Sequence, residues 1–123
     1  MLSIIVPVRN ESDMLKDVFN HFTSKLTNFN YEVLIINDFS EDDTLSKAKS
    51  LIIDNQQFKI FNNTKKGLGG AINLGIREAK GNYVTIMMAD QSDDINDLIN
   101  YNKIMATNSY DAVLGSRFLD TSK

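Results

Sequence analysis

The sequence predicts an α/β fold in which a mostly parallel sheet is covered by helices on both faces. Three observations predict it. Short, β-branched apolar runs alternate with amphipathic segments from one end of the 123-residue chain to the other. The runs are predominantly apolar, without strict polar alternation, as expected of strands buried on both faces. The connections are short, so the alternation implies right-handed crossovers between parallel strands.

The elements follow in order. Leu2 to Val8 is the first buried strand. A helix-period segment then places Leu15, Val18, Phe19, Phe22 and Leu26 on one face. Tyr31 to Ile36 is the second strand. Ser40 reads as the cap of the next helix, with Asp43 where a capping-box acid belongs and Leu45, Ala48, Leu51 and Ile52 as its apolar stripe. Phe58 to Phe61 is a short third strand. The glycine-rich turn after it opens a helix whose expected packing side is Leu68, Ala71, Ile72, Gly75, Ile76 and Ala79. Tyr83 to Met88 is the fourth strand. Ser92-Asp93-Asp94 starts another helix, and Tyr110 to Leu114 is a fifth strand that ends at Gly115-Ser116-Arg117.

Length and composition narrow the classes of function. A chain of 123 residues suits one domain with its own core and not two. The net charge of −3 offers no basic surface for nucleic acid, although local basic groups can still meet phosphates. The absence of cysteine excludes disulfides, thiolate metal sites and a cysteine nucleophile, and it fits a reducing compartment. The apolar run that ends at Val8 is too short for a signal-peptide core or a membrane span, and no later stretch reaches spanning length. A soluble, cytoplasmic chain is expected. Because the polar tail Asp120–Lys123 leaves a sheet edge uncovered, residues 1–123 are expected to form a single domain at the front of a longer protein.

In open parallel sheets, ligands bind beyond the carboxyl ends of the strands, where strand order reverses. For the common order 3-2-1-4 the crevice lies between the first and fourth strands, bordered by Pro7–Glu11 and Ala89–Asp94, with Asn37–Asp43 alongside. Asp38 could accept a hydrogen bond from a ribose hydroxyl or a base N–H; equally it could close an Asx turn on its own backbone. Glu11, taken alone, reads as a first-turn helix acid. Gly67, Gly69 and Gly70 could admit a phosphate beside Lys65 and Lys66, but they follow the third strand and match neither common phosphate-loop pattern, so a tight turn is the plainer reading. Asp90, Asp93 and Asp94 could hold a hard divalent cation. A Ser92 cap with two first-turn acids explains the last two but not Asp90. Arg117 could grip a phosphate as a bidentate fork, or be a solvated surface arginine. Pro7 could simply stop the first strand.

Together, SIIVPVRNE, IINDFSEDDT, KKGLGGAINLGIREAKGNYV, MADQSDD and YDAVLGSRF resemble glycosyltransferase family 2, the inverting group with the Rossmann-like GT-A fold. Within it the likeness is to the polyprenyl-phosphate glycosyltransferases, the dolichol-phosphate mannosyltransferases among them, and it covers nearly the whole chain. The resemblance implies a nucleotide-sugar-binding domain and assigns roles. Pro7, Arg9 and Glu11 match the segment that lines base and ribose. Ile36 and Asp38 match positions beside the base, with Asn37 in place of the first acid of an acidic pair. Lys66 and Gly67 fall in the turn near the nucleotide. Ala89 and Asp90 match the end of the metal and diphosphate motif, Gln91 follows it, and Arg117 matches an element that meets phosphate.

One departure bears on the chemistry. The first acid of that metal motif is Met88 here, and a thioether is no substitute for a carboxylate on Mg²⁺ or Mn²⁺. Asp90 is then the one catalytic and metal-binding carboxylate, and metal dependence is expected in weakened form. The implied reaction is inverting sugar transfer from a nucleotide diphosphate sugar to a polyprenyl phosphate or a saccharide acceptor. The acceptor region, and with it peripheral association with the inner face of the cell membrane, would belong to sequence beyond Lys123. Two rivals stand beside this reading. A dinucleotide-dependent oxidoreductase would need glycines after the first strand, where PVRNES has none. A non-catalytic nucleotide-sugar-binding or regulatory domain would account for Met88.

Overall fold

A computed structural model describes residues 1–26 and 30–88 of the chain. The elements are β1 (Leu2–Val8), α1 (Ser12–Lys25), β2 (Tyr31–Asn37), α2 (Thr44–Ile52), β3 (Phe58–Asn62), α3 (Leu68–Glu78) and β4 (Tyr83–Ile86). All strands pair in parallel, in the order β3-β2-β1-β4. The expected helix after Ser92 and the expected strand Tyr110–Leu114 lie outside the described residues.

β1 and β2 occupy the centre of the sheet, and every residue of both is buried. Successive side chains point to opposite faces, so strands covered on both sides are apolar at most positions, with Ser3 and Glu32 the buried polar exceptions before the strand ends. Ile4, Val6, Val33 and Ile35 pack against Leu15, Val18 and Phe22 of α1 and Ala48 of α2. Ile5, Leu34 and Ile36 face the other way, against Ala71 of α3. Helices thus cover both faces. α3 comes close because it is small where it meets the sheet: a Cβ on Gly75 would lie 2.6 Å from Ile5 Cγ2. An alanine there overpacks the contact, at about 1–3 kcal/mol.

The buried side of α3 differs from the expected one. Ala71 and Gly75 are buried, with Leu74 and Ala79 packed nearby, whereas Leu68 and Ile76 remain 45% and 50% exposed. Leu68, Ile72 and Ile76 follow the four-residue ridge of the helix, which turns away from the Ala71–Gly75 line that meets Ile5. The start of α2 also differs. The helix begins at Thr44, Asp43 makes no side-chain cap bond, and Ser40 is engaged elsewhere. Asp42 takes the capping part by accepting the Thr44 N–H at 2.9 Å. β4 ends at Ile86 rather than Met88, although the Met87 N–H still donates to Ile5 O at 2.9 Å.

One buried charge belongs to the fold. Glu32 is 2% exposed and accepts from Ser3 Oγ at 2.6 Å, Lys80 N–H at 2.7 Å and Lys59 Nζ at 2.9 Å. Burial pushes its carboxyl up, but those bonds outweigh burial and hold it below the ordinary glutamate value. Gly81 N–H donates to Ser3 Oγ at 2.8 Å, so the network pins the α3–β4 turn beneath the sheet.

Candidate functional site

The observed strand order places the reversal between β1 and β4, as the order 3-2-1-4 requires. Pro7 shapes that point. Val8 O accepts from Asp38 N–H on the β2 side, and Ile5 O accepts from Met87 N–H on the β4 side. Backbone groups of a parallel strand alternate between its two neighbours, so Pro7 is the next residue to face β4. It has no N–H to give. Among the described residues the β1–β4 register runs to Ile5↔Ile86, and Pro7 lies in register with Ile36 of β2.

Beyond Pro7, Arg9 and Asn10 are exposed, and Asn10 adopts a left-handed conformation (φ 52°). Asparagine tolerates this region better than most residues. The bend lets Asn10 Oδ1 accept the N–H groups of Glu41 at 2.7 Å and Asp42 at 3.3 Å, while its own N–H donates to Ser40 Oγ at 3.0 Å. Glu11, in the cap position of α1, makes no side-chain cap bond; its N–H donates to Thr44 Oγ1 at 3.0 Å. Asp42 completes the clasp by accepting from the hydroxyl and N–H of Thr44 and from Ser12. The Thr44 hydroxyl is the largest influence on Asp42 and holds its carboxyl below the ordinary aspartate value. A carboxylate placed at the first residues of α1 and α2 also meets the positive ends of both helices.

Asp38 sits at the end of β2, 6% exposed. It does not close a turn on its own backbone. Its Oδ1 accepts from Asn63 Nδ2 and from Gly67 N–H, both at 2.9 Å, which ties β2 to the loop between β3 and α3. Gly67 has φ 115°, a region that side-chain-bearing residues rarely adopt, and it begins α3 without a side-chain cap. Phe39 follows Asp38 with φ 56° and is 45% exposed, an unusual conformation for a bulky residue. Asn37 donates through Nδ2 to Asn62 Oδ1 at 3.1 Å, a bond that an ionised acid at this position could not make.

The structure therefore brings Pro7, Arg9, Glu11, Asp38, Lys66 and Gly67 to one edge of the sheet. Lys66 is exposed there. Ile36 is the exception among the expected residues. It has no exposed surface and packs with Ile5, Leu34 and Ala71, so its side chain is core beneath α3 and is not open to a base. Ala89, Asp90, Gln91 and Arg117 lie outside the described residues. Among the described residues no group of three or more His, Cys, Asp or Glu could hold a metal ion, and none of their helices is long and apolar enough to cross a membrane. A separate concavity of about 560 Å³ lies at the opposite edge, lined by Met1, Tyr31, Glu32 and Lys59 among others. The Lys59 ammonium there is paired with Glu32.

Reading the sequence missed Asn10, Asp42 and Asn63, which join the loops. The signal available was the frequency of Asn and Asp just past strand ends, where short polar side chains bond neighbouring backbone. It does not say which loop each will reach.

A parallel sheet with this order and helices on both faces defines a Rossmann-like α/β domain. The model of a family described as glycosyl transferase family 2 matches residues 3–123, and the chain belongs to that family. It is 33% identical over 126 residues to a dolichol-phosphate mannosyltransferase of Pyrococcus furiosus, covering 99% of this chain and 34% of that protein. It is 33% identical over 130 residues to a dolichyl-phosphate beta-glucosyltransferase of Dictyostelium discoideum, covering 94% and 39%. Among solved structures it resembles a mannosyltransferase from Pyrobaculum calidifontis in complex with GDP-Man and Mn²⁺, with a TM-score of 0.75, 23% identity, and coverage of 87% of this chain and 32% of that one. It also resembles glucosyl-3-phosphoglycerate synthase from Mycobacterium tuberculosis in complex with Mn²⁺, UDP and glucosyl-3-phosphoglycerate, with a TM-score of 0.71, 16% identity, and coverage of 87% and 40%. These last two likenesses establish the shared GT-A glycosyltransferase fold. The chain spans about a third of the length of the first curated relatives it matches.

Proposed function

We propose that this chain is the donor-binding part of an inverting glycosyltransferase that takes a sugar from a nucleotide diphosphate sugar. The observation that carries the reading is the strand order, which reverses between β1 and β4, with Pro7 withholding an N–H on that side and the neighbouring strand-end loops carrying Asp38 and Gly67 bonded to each other. Asp38 offers a carboxylate to a ribose hydroxyl or base N–H. Arg9 and Glu11 border the same edge, and Lys66 brings a positive charge beside the Gly67 turn. Ala89, Asp90, Gln91 and Arg117 are assigned to the diphosphate by the family resemblance alone.

In the transfer, an acceptor oxygen bonds to the anomeric carbon from the face opposite the nucleotide. The bond from that carbon to the diphosphate oxygen breaks, and the nucleoside diphosphate leaves with the electron pair. A bound Mg²⁺ or Mn²⁺ would stabilise the charge on the departing diphosphate. Asp90 is the residue proposed to hold it, without help from Met88, since Mg²⁺ sites often use only one or two protein carboxylates. A polyprenyl phosphate is the acceptor favoured by the dolichol-phosphate relatives, and peripheral association with the inner face of a membrane is proposed with it. A phosphate acceptor is already anionic and needs no general base, whereas a saccharide hydroxyl does.

The reading is tested by calorimetry with UDP-, GDP- and CDP-sugars, each with and without Mn²⁺. Saturable binding of at least one supports it, and binding of none refutes it. Met88 favours a second reading, a domain that binds nucleotide sugar without catalysing transfer. The protein extended beyond Lys123, assayed for transfer to a polyprenyl phosphate, separates the two.

A further inference from the structure

Asn63 is the first residue after β3, and it is 6% exposed. Its Nδ2 donates to Lys65 O at 2.6 Å, Asp38 Oδ1 at 2.9 Å and Gly67 O at 3.3 Å, and its Oδ1 accepts Lys65 N–H at 3.3 Å. Only a donor fits among three oxygens, so these contacts fix which end of the amide points there. Gly67 N–H in turn donates to Asp38 Oδ1. Asn63, Asp38 and Gly67 thus form a closed ring of bonds between two loops.

We propose that Asn63 is a positioning residue of the donor site, one that aims the Asp38 carboxylate and sets the Lys65–Gly67 turn against it. The proposal rests on the donor-binding reading given above. The paired strands do not need this side chain: the β2–β3 ladder runs to Asn37 and Asn62 without it, and Asn63 joins that end through its backbone N–H, bonded to Asn37 O at 2.9 Å. Its side chain is spent on the two loops assigned to the nucleotide. Because both donors converge on Oδ1, the orientation of the whole Asp38 carboxylate depends on them.

Asn63→Asp keeps the shape but turns an acceptor towards three oxygens, one of them a carboxylate oxygen. Lowering the pH protonates the new group and restores one donor, so the defect should shrink in acid. Titrations of UDP and GDP with Mn²⁺ into the full chain compare the unmodified protein with Asn63→Asp at pH 8 and pH 5.5. The expected loss at pH 8 is about tenfold in affinity, and about threefold or less at pH 5.5. In an Asp38→Ala background the loss at pH 8 should nearly vanish, because the two residues act as a unit. A loss equal at both pH values, or undiminished without Asp38, overturns the proposal. If the unmodified chain binds neither nucleotide, the donor-binding reading fails, and amide exchange at Gly67 decides on positioning. Asn63→Ala should then speed Gly67 exchange by about tenfold while strand amides keep their protection. Unchanged exchange, or a chain unfolded by both variants, counts against positioning.

Discussion

Ser3 Oγ donates a 2.6 Å hydrogen bond to Glu32 Oε2 between the paired central strands, where both side chains are buried. Glu32 titrates below its ordinary value of 4.5 in the folded chain. The folded protein therefore favours the ionised form, and this contribution to stability is complete above the unfolded value. It is lost as pH falls below 4.5 through the lowered folded value. Urea unfolding measured from pH 6 to pH 2.5 should show stability dropping across that window. Ser3→Ala should remove about 1.5–3 kcal/mol at pH 6, as expected for a buried bond to a charged group. An unchanged midpoint for Ser3→Ala would contradict the network described.

Phe39 holds a left-handed backbone conformation next to Asp38. The bonds around it, Ser40 N–H to Asn37 Oδ1 and Asn10 N–H to Ser40 Oγ, keep the turn closed despite the strain. Phe39→Asn supplies a residue that tolerates this conformation, so thermal unfolding should show a gain of about 0.5–1 kcal/mol. Asn10→Ala should lose about 1–2 kcal/mol, because two N–H groups lose their acceptor. A loss for Phe39→Asn would mean that the exposed ring makes contacts that outweigh the strain.

The metal proposal predicts opposite effects at neighbouring positions. If Asp90 alone supplies a carboxylate, Asp90→Asn should nearly abolish Mn²⁺ binding in the presence of nucleoside diphosphate, and Met88→Asp should tighten it. Paramagnetic relaxation in a Mn²⁺ titration reads both. Little gain from Met88→Asp, with a large loss from Asp93→Asn or Asp94→Asn, would instead place the ligands after Ser92.

The fold was legible because its signals are periodic and local. Runs such as IIV and VLII can only be buried on both faces, and the alternation with amphipathic segments then requires a parallel sheet. The boundaries were less legible where tertiary bonds decide them. Ser40 has the chemistry of a cap, yet Asn10 from another loop claims it, and α2 starts at Thr44 instead. The Leu68–Ile72–Ile76 ridge has helical period, but the small face at Ala71 and Gly75 meets the sheet because it allows closer approach. At the site, Asp38 was recognisable from its place after a strand. That it bonds Asn63 and Gly67 was not, because the partners are 25 and 29 residues away. Ile36 was expected beside a base, but its place in the strand alternation turns it into the core under α3.

The central claim, that Asp38 serves the nucleotide at the crevice, is tested most directly by Asp38→Asn. This substitution keeps an oxygen for Asn63 and Gly67 and replaces the other carboxylate oxygen by a donor, so the fold is preserved while the ligand-facing group changes. Calorimetric titration of UDP and GDP with Mn²⁺ should show saturable binding of at least one to the unmodified chain. For Asp38→Asn the affinity should fall by roughly tenfold, with the thermal midpoint little changed. Equal affinity in the two proteins, or no binding of either nucleotide to the unmodified chain, would contradict the account.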